Sequence, residues 1–241
     1  MRSAAARRRE GVLVLEGLRV LEEYQARGER LEEVYASREV APRLEDLGDA
    51  LRVVPSRSLV HLSVLVRPEG AIGIARRPVV GLEELSACEV VLAPAGLQDP
   101  GNLGTLVRSL VAFSSRAGLL VDATSVDVFG PKCVRAASGA LASVAVAEVS
   151  ELAVALEALG RRGFRRAALV PRGGTSPPWG VPGRLVLVVG AEGQGIAPEL
   201  AGRCDELLTI PMRAGVDSVN AGVAGSIALA WLYAARASQG R

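Results

Sequence analysis

The stretch L-V-L-V-V-G-A-E-G-Q-G, Leu185 to Gly195, joins an uninterrupted apolar run to a glycine-rich turn. Five consecutive aliphatic residues without polar alternation fit a strand buried on both faces, as in a parallel sheet covered by helices. Comparable runs lie at Glu89 to Ala93, Leu119 to Asp122 and Ala167 to Val170. Helical patterns fall between or after them, at Asn102 to Phe113, Glu151 to Arg161 and Ser218 to Ala235. The alternation predicts an α/β fold with a mostly parallel sheet. Two further glycine-containing stretches belong with the first: Q-D-P-G-N-L-G-T-L-V-R (Gln98 to Arg108) and I-P-M-R-A-G-V-D-S-V-N (Ile210 to Asn220). Such loops after strands mark the ligand-binding edge of an open α/β sheet.

Towards the N-terminus the pattern is that of a smaller α/β unit. Val12, Leu15, Leu18 and Leu21 recur at helical spacing, which predicts a helix from Val12 to Arg27 stopped by Gly28. Leu31 to Ala36 reads as a strand. Short helices (Pro42 to Ala50, Ser56 to Ser63) and short strands (Arg52 to Val54, Ala71 to Ala75) follow. Arg76-Arg77-Pro78 breaks the pattern and puts a linker before Gly81, which divides the chain into 1–78 and 79–241.

Composition narrows the classes. The formal net charge of the 241 residues is +2, so any nucleic-acid footprint is a local patch. Lys132 is the only lysine. The other positive charges are arginines, which grip phosphate bidentately and stack on bases, although a genome rich in Arg codons gives the same bias. Cys88, Cys133 and Cys204 are too widely spaced for a disulfide framework or a C-x-x-C metal site, so the expectation is a reducing cytosol and no metal. No apolar run reaches the roughly 18 to 20 residues of a membrane span. Lys132 is followed by Cys133, which excludes a P-loop, and Gly190 to Gly195 has the order G-x-x-G-x-G, a poor nicotinamide fingerprint. There is no G-x-S-x-G elbow, and His61, the only histidine, falls in the N-terminal unit as a structural residue.

The three stretches resemble, in order, the three motifs of the SpoU/TrmH methyltransferases of the SPOUT superfamily. Asn102, Gly104 and Arg108 match N-x-G-x-x-x-R; Gly190, Glu192 and Gly195 match G-x-E-x-x-G; Ile210-Pro211-Met212 with Ser218-Val219-Asn220 match I-P-M followed by S-L-N. V-R-A-A-S-G-A (Val134 to Ala140) is similar to the family's R-A-S-x-G-A segment, and the likeness runs from Glu89 to Tyr233. V-L-E-G-L-R-V-L-E-E (Val14 to Glu23) and P-E-G-A-I-G-I-A (Pro68 to Ala75) resemble the L30e-like RNA-binding domain that precedes many catalytic domains of the family. The pattern departs at Ala221 and Gly222, where the third motif usually carries larger residues, and at Ser114-Ser115, which follow Phe113.

The resemblance implies a catalytic domain with a C-terminal trefoil knot, a rare exception to unthreaded topology. It implies transfer of a methyl group from S-adenosylmethionine to a ribose 2′-hydroxyl in RNA, ribosomal RNA ahead of transfer RNA, by a cytoplasmic homodimer that uses neither DNA nor a membrane. A non-catalytic RNA-binding homologue is the reading from another class, against which stands the complete polar set. By the same resemblance, backbone groups at Val170, Gly190, Ile210 and Val219 hold the cofactor, and Asn102, Arg108, Glu192, Ser218 and Asn220 form the polar site. An arginine is a poor base, so Arg108 is read as gripping a phosphate and polarising the hydroxyl. Asn102 orients Arg108 or the ribose, or caps its helix, and Glu192 also fits a mere turn. The run Arg161-Arg162-Gly163-Phe164-Arg165-Arg166 fits either an RNA contact, with Phe164 stacking on a base, or a solvated helix end.

Overall fold

The computed structural model describes residues 3–63, 65, 68–180 and 183–239. In chain order the first unit comprises α1 (Ala4–Glu10), β1 (Val12–Glu16), α2 (Leu18–Ala26), β2 (Leu31–Ala36), β3 (Leu51–Val53), α3 (Ser56–Leu62) and β4 (Ala71–Arg76). Its four strands form a sheet in the order β1-β4-β2-β3. The second unit comprises β5 (Val90–Ala95), α4 (Pro100–Phe113), β6 (Ala117–Val121), α5 (Pro131–Ala137), β7 (Val144–Glu148), α6 (Leu152–Arg161), β8 (Arg165–Leu169), β9 (Leu185–Gly190), α7 (Pro198–Ala201), β10 (Glu206–Leu208) and α8 (Ala221–Gln239). Its sheet, β10-β8-β9-β5-β6-β7, is parallel at every pairing. Among the described residues no helix is long and apolar enough to cross a membrane.

The apolar runs become strands because both faces are covered. Val90, Leu92, Leu119, Leu185 and Leu187 belong to the core that also holds Leu103 and Leu106 of α4. The alternate residues Val91, Ala93, Leu120, Val186 and Val188 lie in the core with Leu156 and Leu159 of α6. With helices on both sides there is no solvent face to demand polar alternation.

The expected helix from Val12 to Arg27 is instead a strand and a shorter helix. Every residue of β1 is buried, which an amphipathic helix does not permit, and Gly17 at φ 104° turns the chain into α2. The spacing of Val12, Leu15, Leu18 and Leu21 is thus shared between two elements. The helix expected at Pro42 to Ala50 is a pair of 3-10 turns over Ala41–Ala50, broken at Leu44 and Gly48.

The two units share a continuous core in which Leu13, Leu15 and Tyr24 join Cys133, Val134 and Ala137. Buried Arg7 of α1 pairs with Asp127 at 2.7 Å. Arg77 pairs with Glu148 at 2.5 Å and lies 4.3 Å from the centre of the Phe129 ring.

Gly104, a motif residue, is a packing residue in the fold. A Cβ there would stand 2.4 Å from Ala136 Cβ and 2.8 Å from both Ala137 N and Cys133 O. Backbone atoms cannot yield as a side-chain tip does, so Gly104→Ala is expected to lower stability by about 2 kcal/mol in denaturant unfolding, overpacking outweighing the helix propensity gained. An unchanged midpoint would mean that α5 shifts freely.

Candidate active site

The three glycine-containing loops converge. The first opens with Gln98, whose Nε2 donates to Thr124 O at 2.6 Å, and with Asp99, which caps α4 by accepting from Asn102 N at 2.8 Å. Asn102 is therefore not the cap but lies within the first turn, which frees its side chain. Its Nδ2 donates to Glu192 Oε1, fastening the first motif to the second.

The second loop leaves β9 at Gly190 and doubles back, with Gly195 N donating to Ala191 O at 2.9 Å. A Cβ on Gly190 would lie 2.3 Å from Gly195 C and 2.7 Å from Ile196 N, so the turn closes directly on that glycine. Gly195 itself has φ 69°. The motif's two glycines thus answer one requirement, a backbone folded onto itself.

The third loop ends at Asn220, which caps α8. Its Oδ1 accepts from Val223 N at 3.1 Å and its carbonyl from Ala224 N at 2.8 Å. A Cβ at Gly222 would meet Asn102 Oδ1 and Asn220 Oδ1, each at 3.1 Å, so the departure from the family pattern here lets α8 start close against α4. Between β8 and this loop, Arg172 pairs with Asp217 at 2.5 Å, both strongly exposed.

A pocket of about 270 Å³ lies between the end of β8 and the second and third loops, lined by Leu169, Val170, Val189, Gly190, Glu192, Ile210, Met212, Ser218, Val219, Asn220 and Ala224, among others. All four residues expected to hold a cofactor are on its wall, with Glu192, Ser218 and Asn220. The amide of Val170 is already committed, donating to Leu208 O at 2.8 Å, and its carbonyl accepts from Thr209 Oγ1 at 3.1 Å.

Arg108 is not in this pocket. It is exposed on α4 and lines a second concavity of about 580 Å³ with Glu23, Arg27, Thr105, Ser109 and Ser138. Glu23, which sequence reasoning passed over, comes from α2 of the first unit. Burial raises its carboxyl, but hydrogen bonds from Ser138 and Arg19 and the charges of Arg19 and Arg108 outweigh burial and hold it below the usual range. The only sequence signal for it was its place in the stretch from Val14 to Glu23.

Other candidates fall away from the site. His61 is exposed on α3. Burial pushes the Cys133 thiol up to about 12 and that of Cys204 to about 11, so neither is a thiolate at neutral pH. In the arginine-rich run Phe164 is buried, with Arg184 over its ring, and cannot stack on a base. The Arg166 guanidinium makes two bonds to Asp205, at 3.0 and 2.6 Å, Arg162 pairs with Glu83 at 3.1 Å, and Arg165 pairs with Glu206. These arginines pair with acids, and the helix-end reading fits only Arg161 and Arg162, since Arg165 and Arg166 belong to β8.

Residues 89–230 match the SpoU rRNA Methylase family. An uncharacterized tRNA/rRNA methyltransferase of Mycobacterium tuberculosis (strain ATCC 25177 / H37Ra) is 38% identical over 143 residues, 58% of this chain and 44% of that protein. One from Mycobacterium leprae (strain TN) is 32% identical over 203 residues, 78% of this chain and 63% of its own length. The chain thus spans between about half and three-fifths of these relatives. Among solved structures, a putative RNA methyltransferase of the TrmH family from Porphyromonas gingivalis superposes with a TM-score of 0.80 at 26% identity, covering 95% of this chain and 92% of that one. The SpoU methyltransferase AviRb from Streptomyces viridochromogenes, in complex with AdoMet, shares the fold at a TM-score of 0.83 and 22% identity, over 98% and 94% of the two chains. With the family matched across the segment that carries all three loops, the chain belongs to the SpoU rRNA methylase family.

Proposed function

We propose that this chain transfers a methyl group from S-adenosylmethionine to a ribose 2′-hydroxyl of RNA, ribosomal RNA ahead of transfer RNA, as a cytoplasmic homodimer. The observation that carries the reading is one pocket walled by the second and third loops, to which the first is fastened through the bond from Asn102 to Glu192. The residues present suit the cofactor. Leu169, Val189, Ile210 and Ala224 offer apolar walls to an adenine, the turn at Gly190 offers bare backbone, and Glu192 offers a carboxylate to a cation.

When bound, the cofactor supplies an already electrophilic methyl group. The chain has then to place the 2′-oxygen in line and ease the loss of one proton, which needs positioning more than covalent machinery. Asn102 holds Glu192 in place at the pocket, and Ser218 and Asn220 supply the remaining polar wall. Arg108 grips an acceptor phosphate and polarises the hydroxyl.

The position of Arg108 supports the homodimer. It is six residues beyond Asn102, about 9 Å along α4, and opens into a different concavity, an arrangement in which a second copy would bring it to a cofactor pocket. Val219 at 39%, Val223 at 47% and Trp231 at 38% exposure leave an apolar stripe at the start and along α8 for that copy to cover. The strand order supports a C-terminal trefoil knot: β9 lies between β8 and β5, β10 on the outer side of β8, and Gly222 and Gly225 return against Asn102 and Leu106 of α4. Residues 1–78 are read as the L30e-like RNA-binding domain and 79–241 as the catalytic one. The complete polar set speaks against a homologue that binds RNA without catalysis.

Nuclease digestion and mass spectrometry of methylated RNA test the reaction. The added mass should travel with the sugar, and alkaline cleavage should stop at that nucleotide because its 2′-oxygen no longer attacks the neighbouring phosphate. A methyl group on the base would overturn the assignment.

A further inference from the structure

The segment V-R-A-A-S-G-A has no part in the cofactor pocket, yet it carries the one non-glycine residue with positive φ among those described, Ser138 at φ 49° and ψ 59°. A serine is held in the left-handed region only where its surroundings demand it. Gly139 follows at φ 71°, and a Cβ on it would lie 2.8 Å from Glu23 Cβ and 3.3 Å from Tyr24 N. These two residues turn the chain tightly against α2. The turn delivers the Ser138 hydroxyl to Glu23 Oε2 at 2.5 Å, while Arg19 Nε donates to Glu23 Oε1 at 2.9 Å.

Both carboxylate oxygens of Glu23 are therefore engaged within the wall of the groove that holds Arg108. Among the described residues Arg108 forms no hydrogen bond or ion pair, and its charge is felt at Glu23. Arg27, on the same wall, is tied to Ser143 Oγ at 2.9 Å. The groove is thus built by both units, and a negative charge held by one shares its wall with an exposed positive charge from the other. Arginine loses considerable rotamer freedom when it is placed, so a nearby anion that does not consume its donors narrows its positions in advance.

We propose that Glu23 is a positioning residue for Arg108, reaching it from the N-terminal unit across the groove and aligning the guanidinium for an acceptor phosphate while leaving all its donors free. The proposal rests on the reading of Arg108 as the acceptor-side residue of an RNA methyltransferase. It also gives the V-R-A-A-S-G-A turn a purpose: Ser138 and Gly139 hold Glu23 on the wall of that groove.

Glu23→Gln in the full chain tests it, since the amide keeps the shape and an acceptor for Ser138 and loses the charge, together with the surface ion pair to Arg19 that adds little to stability. Turnover should fall about tenfold at saturating cofactor and RNA, as expected of a misaligned reacting group, with the cofactor KM and the melting temperature unchanged. The Nε–H resonance of Arg108, assigned through Arg108→Lys, should shift or broaden in the same variant. Ser138→Ala should move both readouts in the same direction by less. Unchanged turnover together with an unchanged Arg108 resonance would overturn the proposal, as would a loss of turnover matched by a loss of melting temperature. Should the wild-type chain methylate no RNA, the resonance still reads the pairing: a shift upholds Glu23 as the partner of Arg108 while the assigned reaction falls, and no shift defeats both.

Discussion

Arg108→Ala is expected to reduce methyl transfer by about a thousandfold, as loss of a transition-state donor does, while the Kd of S-adenosylmethionine moves by less than about twofold. The division follows from geometry, because Arg108 lines its own groove and not the pocket of Gly190 and Ile210. Calorimetry that found cofactor binding lost along with activity would sink it. Arg108→Lys should rescue poorly, since an ammonium cannot reproduce a bidentate grip on phosphate. A mixing experiment then asks whose pocket Arg108 serves. When Arg108→Ala and Glu192→Ala chains are combined equally and allowed to exchange, a heterodimer regains one intact site if the arginine acts across the interface. About a quarter of wild-type activity should return under random pairing of a two-fold dimer. If the arginine served its own chain, the mixture would stay as inactive as its parts.

Gly190→Ala should weaken cofactor binding by about a hundredfold or more and lower the melting temperature, because overpacking against backbone has nowhere to relax. The added Cβ would lie 2.3 Å from Gly195 C and 2.4 Å from Gly195 O. The turn must swing outward, carrying Glu192 away from Asn102 and opening the pocket floor. Gly193 is the internal control. It has φ 77°, and a Cβ added there would meet nothing within 4 Å, so alanine bears only the backbone cost of about 1 kcal/mol. Near-equal effects at the two positions would show that flexibility of the loop, and not the closed turn at Gly190, governs binding.

The parallel sheet was legible because burial on both faces forbids alternation, and L-V-L-V-V is a run that few other environments tolerate. The motif glycines were legible too, since a turn that closes on its own backbone admits no side chain. Elements with weaker local signals were not. β7, V-A-V-A-E, and the three-residue β10 gain their conformation from the neighbours they pair with, Ala117–Val121 and Ala167–Leu169. At the N-terminus a helical spacing shared by β1 and α2 hid the boundary, which only the full burial of Val12–Glu16 reveals.

For the site, the residues themselves were fixed by the linear order of the motifs, and eight of the nine singled out meet around one pocket, seven on its wall and Asn102 through its bond to Glu192. The ninth, Arg108, stands apart, because six residues along a helix turn a side chain to another face and no motif spacing states which face is buried. The approach of Glu23 to Arg108 joins positions 85 apart in the chain, counted from residue numbers 23 and 108, and depends on how one sheet unit seats on the other. Local sequence dictates which backbone shapes are allowed. Only the packing of the two units, through Arg7 with Asp127 and Ser138 with Glu23, decides which distant charges face one another.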